Sequence, residues 1–202
     1  MINRQNIRLY LVDDDPMVLR SLCALISAHG LNPLAFSSAE AFLDHYDPRE
    51  PGCLLLDIKM PGMDGVRLQA RLNESGDDLP IIILTGHGDV AAAVLAMKRG
   101  AIDFIEKPVN VDTLMRAIDE AVSRLGDEPP KRIPDDEVAR RLSLLTHRER
   151  EVLEHLIQGK INKHIAVDLG ISRRTVEIHR ARVQTKMEAN SLADLIRLMK
   201  PH

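Results

Sequence analysis

The chain has 202 residues, enough for one large domain or two small ones, and we expect two. A composition of 45% hydrophobic and 28% charged residues is ordinary for a globular protein and excludes a disordered chain. The net charge of -3 is unevenly placed, because residues 1–130 carry 12 Lys and Arg against 20 Asp and Glu, whereas residues 131–202 carry 15 against 10. This asymmetry favours a regulatory or cation-binding domain followed by a domain that binds nucleic acid.

The same composition excludes several classes of protein. No apolar run approaches the roughly 18 residues of a membrane span, and acidic residues interrupt the N-terminal region where a signal peptide would stay apolar. We therefore expect a soluble protein of the cytoplasm. Cys23 and Cys53 lie in apolar stretches without a second metal-binding residue at a suitable spacing. We expect them to be reduced core residues, and we expect no structural zinc.

Five apolar runs, each followed by a helical pattern, fill the first 125 residues: IRLYLV, LNPLAF, CLLLD, IIILT and DFIEK. Continuous apolar strands are typical of a parallel sheet that is covered on both faces. Ser37 with Glu40 predicts a capping box on the second helix, Asn110 predicts a cap on the fifth, and Gly100 predicts a helix end. The pattern predicts a doubly wound α/β domain with its ligand site at the carboxyl ends of the strands.

Residues 126–137 contain three prolines and no apolar periodicity, which is typical of a semi-rigid linker. The remaining part, 138–202, has a purely helical pattern, and we predict a small all-α domain of four helices. The helix signals there are a capping box, two serine caps, an asparagine cap and a glycine turn. These residues are Thr146 with Glu149, Ser172, Ser191, Asn162 and Gly170.

Polar side chains follow four of the five predicted strands. Asp13 and Asp14 end the first strand, Asp57 ends the third, Thr85 ends the fourth and Lys107 follows the fifth. Parallel strands bring these positions to one edge of the sheet. Crowded carboxylates repel one another unless a cation neutralises them, and an all-oxygen set suits Mg²⁺.

Asp57 is the candidate nucleophile toward a phosphoryl donor, with Lys107 and Thr85 stabilising the transferred group. A single aspartate after a strand is more simply explained as a helix cap. Five complementary groups at four strand ends make that explanation improbable for the whole set.

The segments LVDDDPMV, LLLDIKMPGMDG, IIILTGHGDV and GAIDFIEKP resemble the receiver domain of two-component response regulators, and the third and fourth are similar to the FixJ subfamily of the NarL/FixJ family. The resemblance implies a flavodoxin-like (βα)5 sheet of strand order 2-1-3-4-5. It also implies that Asp57 is phosphorylated by a sensor histidine kinase. Mg²⁺ would then be held by Asp13, Asp14, Asp57 and the Lys59 backbone carbonyl. Asp15 matches no metal position.

The resemblance further implies that Thr85 and Phe104 form a switch pair and that Lys107 binds the phosphoryl group. The Lys107–Pro108 bond would be cis. Phe104 lacks the hydroxyl of the tyrosine that many members carry, so it would signal by packing alone. A plain core aromatic remains an alternative for Phe104.

The stretch from Leu145 to Leu198 resembles a LuxR-type helix-turn-helix. The physical pattern agrees with this resemblance, because an apolar first helix and a glycine turn precede a capped helix with five cations, Arg173 to about Lys186. The resemblance directs Glu177, Ile178 and Ala181 at base edges. The predicted DNA-contacting residues are Lys163, Arg173, Arg174, Thr175, Glu177, Ile178, Arg180, Ala181, Arg182 and Lys186.

Two interpretations stay open in this half. Glu177 would either accept a hydrogen bond from cytosine or hold the neighbouring Arg173 and Arg180 in place. The stripe Leu192, Leu195, Ile196 and Met199 forms a dimer contact in the family, but simple core packing explains it equally well.

We therefore expect a transcriptional regulator, active as a homodimer after phosphorylation, with promoter DNA and RNA polymerase as partners. We expect no enzymatic turnover beyond self-phosphorylation and slow dephosphorylation. An orphan regulator that is never phosphorylated is one alternative. Another is a phosphatase, because Asp13-Asp14-Asp15 resembles the nucleophile loop of haloacid-dehalogenase-type enzymes; Met17, however, stands where that loop has Thr or Val.

Overall fold

The structure is a computed structural model that describes residues 7–86, 89–125, 134–189 and 191–199. Up to residue 125, strands and helices alternate. They are β1 (Arg8–Val12), α1 (Pro16–Ala28), β2 (Pro33–Phe36), α2 (Ala39–Leu43), β3 (Gly52–Asp57), α3 (Gly65–Glu74), β4 (Ile81–Thr85), α4 (Val90–Lys98), β5 (Asp103–Glu106) and α5 (Val111–Ser123). The five strands are those that the apolar runs predict.

The strands form one parallel sheet in the order β2-β1-β3-β4-β5, as expected. Chain order reverses direction across the sheet between β1 and β3, which is where doubly wound sheets bind ligands. The register pairs Val12 with Leu56, Asp57 with Leu84, and Thr85 with Glu106. Asp13 and Asp57 therefore lie at one level along the sheet, and Thr85 and Lys107 lie slightly beyond that level at the same edge.

Both faces of the sheet are buried, which explains the continuous apolar runs. On one face, strand residues such as Leu11, Leu55 and Leu84 pack with Ile26 of α1 and Leu114 of α5. The alternate residues of the central strands β3 and β4 are equally buried. Cys53 lies within this core and Cys23 is half-buried, and both are free thiols, as predicted.

One helix start differs from the prediction. Ser38, and not Ser37, caps α2, because its hydroxyl accepts a hydrogen bond from the Ala41 N–H at 3.1 Å. Glu40 thus lies one position too early to complete a capping box. Its carboxylate instead accepts a hydrogen bond from the Met63 N–H at 3.2 Å, in the loop after β3. The other predicted signals agree, since Asn110 caps α5 and Gly100 follows α4 with a positive φ of 108°.

The chain divides into two compact units, and the second comprises α4 together with the C-terminal helices. From residue 134 onward the described residues form five helices, one more than expected: α6 (Asp135–Ser143), α7 (His147–Ile157), α8 (Asn162–Leu169), α9 (Arg173–Met187) and α10 (Leu192–Leu198). The additional helix, α6, begins inside the stretch predicted as linker. Residues 126–133 of that stretch lie outside the described residues.

Helices α7 and α8 both pack against α9 around a core that includes Val152, Ile165 and Val183, each fully buried. The predicted capping box of Thr146 and Glu149 is present. Asn162 is not a cap, because α8 already begins at this residue and Ile161 takes the cap position without a side-chain hydrogen bond. No helix among the described residues is long and apolar enough to cross a membrane.

Candidate phosphoacceptor pocket and DNA-binding helix

The parallel register brings the predicted pocket residues together. Asp13 follows Val12 and therefore lies beside Asp57, while Thr85 lies one residue beyond the Asp57 level on the next strand. Asp13, Asp57 and Thr85 are buried, at 0%, 5% and 1% relative exposure. Such burial is unusual for carboxylates and requires partners.

Lys107 is the central partner of the two buried carboxylates. Its Nζ lies 2.6 Å from Oδ2 of Asp13 and 2.5 Å from Oδ1 of Asp57. The remaining oxygens are held by the main chain: the Lys59 N–H donates to Asp57 Oδ2 at 2.8 Å, and the Asp15 N–H donates to Asp13 Oδ1 at 3.0 Å. Asp57 is therefore fixed in position by both a cation and its own loop.

The electrostatics of the pocket are strongly coupled. Burial raises the pKa of the Asp57 carboxyl above its usual range, although Lys107 opposes this effect. For Lys107, burial acts to lower the pKa, but hydrogen bonds and charge attraction from Asp13 and Asp57 outweigh it and raise the pKa. Two carboxylates facing one ammonium leave the buried set with an excess of one negative charge, which is suited to a further cation.

The other two predicted metal-site groups are nearer to solvent. Asp14 is exposed at the end of β1. The Lys59 side chain is 73% exposed and forms an ion pair with Asp89 at 2.6 Å, so only its backbone remains beside Asp57. Within the ranges that the structure describes, no three His, Cys, Asp or Glu side chains converge into a ready-made metal cluster.

The predicted switch residues lie on β4 and β5. The Thr85 hydroxyl donates to the Gly86 carbonyl at 3.3 Å, so in this structure it is engaged by its own loop. Phe104 is half-buried on β5. The Lys107–Pro108 peptide bond is cis, as the resemblance implied.

Two residues that support the pocket were missed by sequence reasoning. Gly65 begins α3 directly against the end of β3: a Cβ there would lie 2.1 Å from the carbonyl oxygen of Asp57. Glu40 anchors the β3–α3 loop from α2 through Met63. Neither contact has a local sequence signal beyond the glycine itself.

Asp15 has a structural explanation. It is the N-cap of α1, and its carboxylate accepts a hydrogen bond from the Met17 N–H at 2.7 Å. A helix-capping Asp15 is what the simple explanation for a strand-end aspartate predicted.

In the helical unit, α9 presents most of the predicted DNA-contacting side chains to solvent. Ser172 caps this helix through the Thr175 N–H at 3.0 Å, and Gly170 ends α8 in the left-handed conformation with φ of 63°. Thr175 and Arg180 are half-buried. The exposed members of the predicted set are Lys163, Arg173, Arg174, Glu177, Ile178, Ala181 and Arg182.

Lys186 differs from the rest of the set. Its ammonium lies 2.6 Å from the carboxylate of Glu149 on α7 and 3.1 Å from the Leu144 carbonyl. Glu149 is 2% exposed, and its hydrogen bond with Lys186 lowers its pKa to about 2. The sequence pattern predicted that Glu149 belongs to a capping box, but it did not indicate the ion pair with Lys186 on α9.

The stripe on α10 is largely inside the chain. Leu192, Leu195 and Ile196 are 5%, 0% and 3% exposed, whereas Met199 is half-buried. Helix α10 packs against α4, α7 and α9. For the first three residues, this burial favours the core-packing interpretation that the sequence left open.

Comparison with known proteins assigns both parts of the chain. Residues 9–119 match the response regulator receiver domain, and residues 143–199 match the bacterial regulatory proteins of the luxR family. The chain belongs to the response regulators with a LuxR-type DNA-binding domain. This assignment gives the phosphatase alternative no support.

Relatives of this response regulator resemble it over nearly its full length. The transcriptional regulatory protein FixJ of Azorhizobium caulinodans is 43% identical over 96% of this chain and 92% of its own. The response regulator protein TmoT of Ectopseudomonas mendocina is 41% identical over 98% and 90%. The crystal structure of full-length FixJ from B. japonicum is 41% identical, covers 96% of each chain and gives a TM-score of 0.57. The protein is accordingly a transcriptional response regulator.

Proposed function

We propose that this response regulator accepts a phosphoryl group on Asp57 from a sensor histidine kinase and that phosphorylation promotes dimerisation and binding to promoter DNA. The observation that carries the proposal is the Asp57 carboxylate, buried at a strand end and held by Lys107 at 2.5 Å. A buried carboxylate with a fixed ammonium beside it is prepared for the negative charge of a phosphoryl group.

Mg²⁺ fits the donor set of this pocket. Asp13 and Asp57 offer carboxylate oxygens, and the single Lys107 ammonium does not balance both charges. We propose that Asp13, Asp14, Asp57 and the Lys59 carbonyl hold the ion, which is a hard-oxygen set of the kind that Mg²⁺ takes together with water. When bound, Mg²⁺ supplies positive charge that neutralises phosphoryl oxygens.

The transfer step uses this chain's residues as follows. An Asp57 oxygen forms a bond to phosphorus while the bond from phosphorus to the donor's histidine nitrogen breaks, and that nitrogen keeps the electron pair. Lys107 stays beside the reacting oxygen and stabilises the charge that the phosphoryl group carries.

The switch would begin at Thr85. Its hydroxyl now donates to Gly86 and would turn to a phosphoryl oxygen on Asp57, because an anionic acceptor gives a stronger hydrogen bond than a neutral carbonyl. We propose that this movement makes room for Phe104 to turn inward from its half-buried position. Phe104 would then transmit the signal by packing alone.

For DNA binding, we propose that exposed α9 residues enter the major groove. Glu177, Ile178 and Ala181 would face base edges, since they lie on the exposed side of the capped helix. The cations would contact phosphates and supply affinity without sequence information. The proposed phosphate-contacting or supporting residues are Lys163, Arg173, Arg174, Thr175, Arg180 and Arg182.

A regulator of this kind would recruit or hinder RNA polymerase at the promoter. We propose homodimerisation on phosphorylation without assigning it to Leu192, Leu195 and Ile196, because these residues are buried in the single chain. Met199 is the member of the stripe that burial leaves most available for a partner.

The proposal is tested by gel-shift titration of a mixed-sequence DNA duplex with wild type, Asp57→Ala and the matched control Asp78→Ala. Each protein is measured with and without acetyl phosphate and Mg²⁺, and its oligomeric state is followed by light scattering. We expect acetyl phosphate to strengthen DNA binding and dimerisation of wild type and Asp78→Ala only. Equal binding by all proteins in all conditions would instead establish the orphan regulator.

A further inference from the structure

The C-terminal end of the proposed recognition helix α9 is held from within its own unit. Lys186 uses two of its three ammonium donors, one on the Glu149 carboxylate at 2.6 Å and one on the Leu144 carbonyl at 3.1 Å. Glu149 lies at the start of α7, where its side chain also accepts a hydrogen bond from the Thr146 N–H at 2.8 Å. Lys186 therefore connects the end of α9 to a capping box.

A second cationic side chain, that of Arg141, binds the same end of α9. The Arg141 side chain on α6 is only 10% exposed, and its Nη1 donates to the Met187 carbonyl at 2.9 Å. Its Nη2 lies 2.8 Å from Glu188, and its Nε donates to Glu137 at 2.7 Å. The Met187 carbonyl belongs to the last turn of α9, whose carbonyls lack partners inside the helix. Glu188 itself caps α9 with a positive φ of 52°.

Lys186 is not free to move to a DNA phosphate. If it did, Glu149 would remain as a buried carboxylate without its cation, and an uncompensated buried charge is strongly unfavourable. Arg173, Arg174 and Arg182 carry no such constraint from burial, because all three are exposed on α9. The cations of α9 thus differ in their surroundings: Arg173, Arg174 and Arg182 are exposed, whereas Lys186 is held at the C-terminal end of the helix.

We propose that Lys186 and Arg141 are positioning residues that hold α9 by its C-terminal end, and that the DNA-contacting surface of the helix ends at Arg182. This inference rests on the proposed DNA binding by α9. It removes Lys186 from the predicted phosphate contacts and gives α6 a part in DNA recognition. A helix fixed at one end presents its other end to the groove in a single orientation.

The salt dependence of DNA binding separates the two kinds of cation. The full chain, treated with acetyl phosphate and Mg²⁺, is titrated into a fluorescent mixed-sequence duplex over a series of salt concentrations. Expressed per bound protomer, each lost phosphate contact makes the negative slope of log K against log salt shallower by about 0.9. We expect Arg173→Met to show that loss. Lys186→Met should keep the wild-type slope while affinity falls about tenfold at every salt concentration, as it would if only a tenth of the molecules held a competent α9.

The variant Glu149→Gln gives a second test, because the two possible roles of Lys186 predict opposite changes in DNA affinity. If Lys186 contacted phosphate, Glu149→Gln would free it and strengthen DNA binding with a steeper slope. If Glu149 and Lys186 position α9, Glu149→Gln weakens binding with an unchanged slope. Stronger binding by Glu149→Gln, or a slope reduced by about 0.9 in Lys186→Met, overturns the inference.

A single variant that does not fold is replaced by Glu149→Gln/Lys186→Met, in which no buried charge is left unpaired. Its slope should equal that of wild type, and a slope lower by about 0.9 overturns the inference. Failure of the proposed function looks different, because wild type itself would then not bind the duplex at any salt concentration, and the inference would fall with it.

Discussion

Gly65 begins α3 with its Cα against the main chain of Asp57, so Gly65→Ala is a sensitive test of the role proposed for Asp57. An added Cβ would lie 2.1 Å from the Asp57 carbonyl oxygen and 3.1 Å from the Ile58 Cα. Both neighbours are backbone atoms, so no side-chain rotation relieves the clash. Gly65 is also tied to this segment by its N–H, which donates to the Ile58 carbonyl at 2.9 Å.

The expected effect of Gly65→Ala on stability and on phosphorylation follows from these distances. An ordinary contact at this position begins at 3.4 Å, so the Asp57 main chain must move by roughly 1.3 Å. Overpacking of this kind costs about 1–3 kcal/mol of stability. A displacement of about 1 Å of a reacting group slows chemistry by up to about 100-fold, and we expect the phosphorylation rate of Asp57 to fall at least tenfold.

Both tyrosines of the chain, Tyr10 and Tyr46, lie in the first unit, so tyrosine fluorescence reports its unfolding in urea. Phosphorylation by acetyl phosphate is followed on phosphate-affinity gels. The matched control is Gly76→Ala, whose Cβ meets open space but whose φ of 77° is strained for alanine. This control should lose about 1–2 kcal/mol and keep the wild-type rate. A Gly65→Ala protein that is phosphorylated as fast as the control would refute the reasoning.

Three further predictions concern charged side chains. Lys107→Met should abolish phosphorylation of Asp57. It should also raise the pKa of the Asp57 carboxyl further, because the attraction of the Lys107 ammonium, which opposes the effect of burial, is lost. An unchanged titration of the Asp57 carboxyl by NMR would contradict this. Glu149 has a folded pKa of about 2 against an ordinary 4.5, so its contribution to stability is complete above pH 4.5 and is lost as pH falls toward 2. Helical circular dichroism in urea should therefore show a weaker pH dependence in this range for Glu149→Gln than for wild type, and parallel curves would exclude the ion pair. Arg141→Met should destabilise the helical unit by about 2 kcal/mol in the same assay, while phosphorylation by acetyl phosphate stays intact. An unchanged urea midpoint would argue against the role of Arg141 in holding the C-terminal end of α9.

Much of the fold is predictable from the sequence because its signals are local. The apolar runs identify all five strands, since strands covered on both faces need apolar residues at every position. Ser172 and Gly170 mark the turn before α9 through hydrogen bonds and backbone angles that involve only adjacent residues. The pocket set was predictable as well, because parallel strands bring Asp13, Asp57 and Thr85 to one edge whatever the details of packing.

The exact start of α2 and the presence of α6 could not be predicted from the sequence. Ser37 and Ser38 are equivalent as cap residues in isolation, and in the folded chain Ser38 is the cap. Helix α6 was not predicted because its sequence is polar and follows prolines, which is the composition of a linker. It is held in place by Arg141, whose partners on α9 are more than 40 residues away along the chain.

The sequence by itself determined which functional groups this response regulator possesses: a strand-end carboxylate, a lysine beside it and a basic helix after a capped turn. The tertiary structure alone decided how equivalent residues are used. Lys186 and Arg182 are both cations on α9, yet one is anchored to Glu149 and the other is exposed. The physical reason is that an ion pair depends on distance and on shielding from water, and both are set by packing between segments that are remote in sequence.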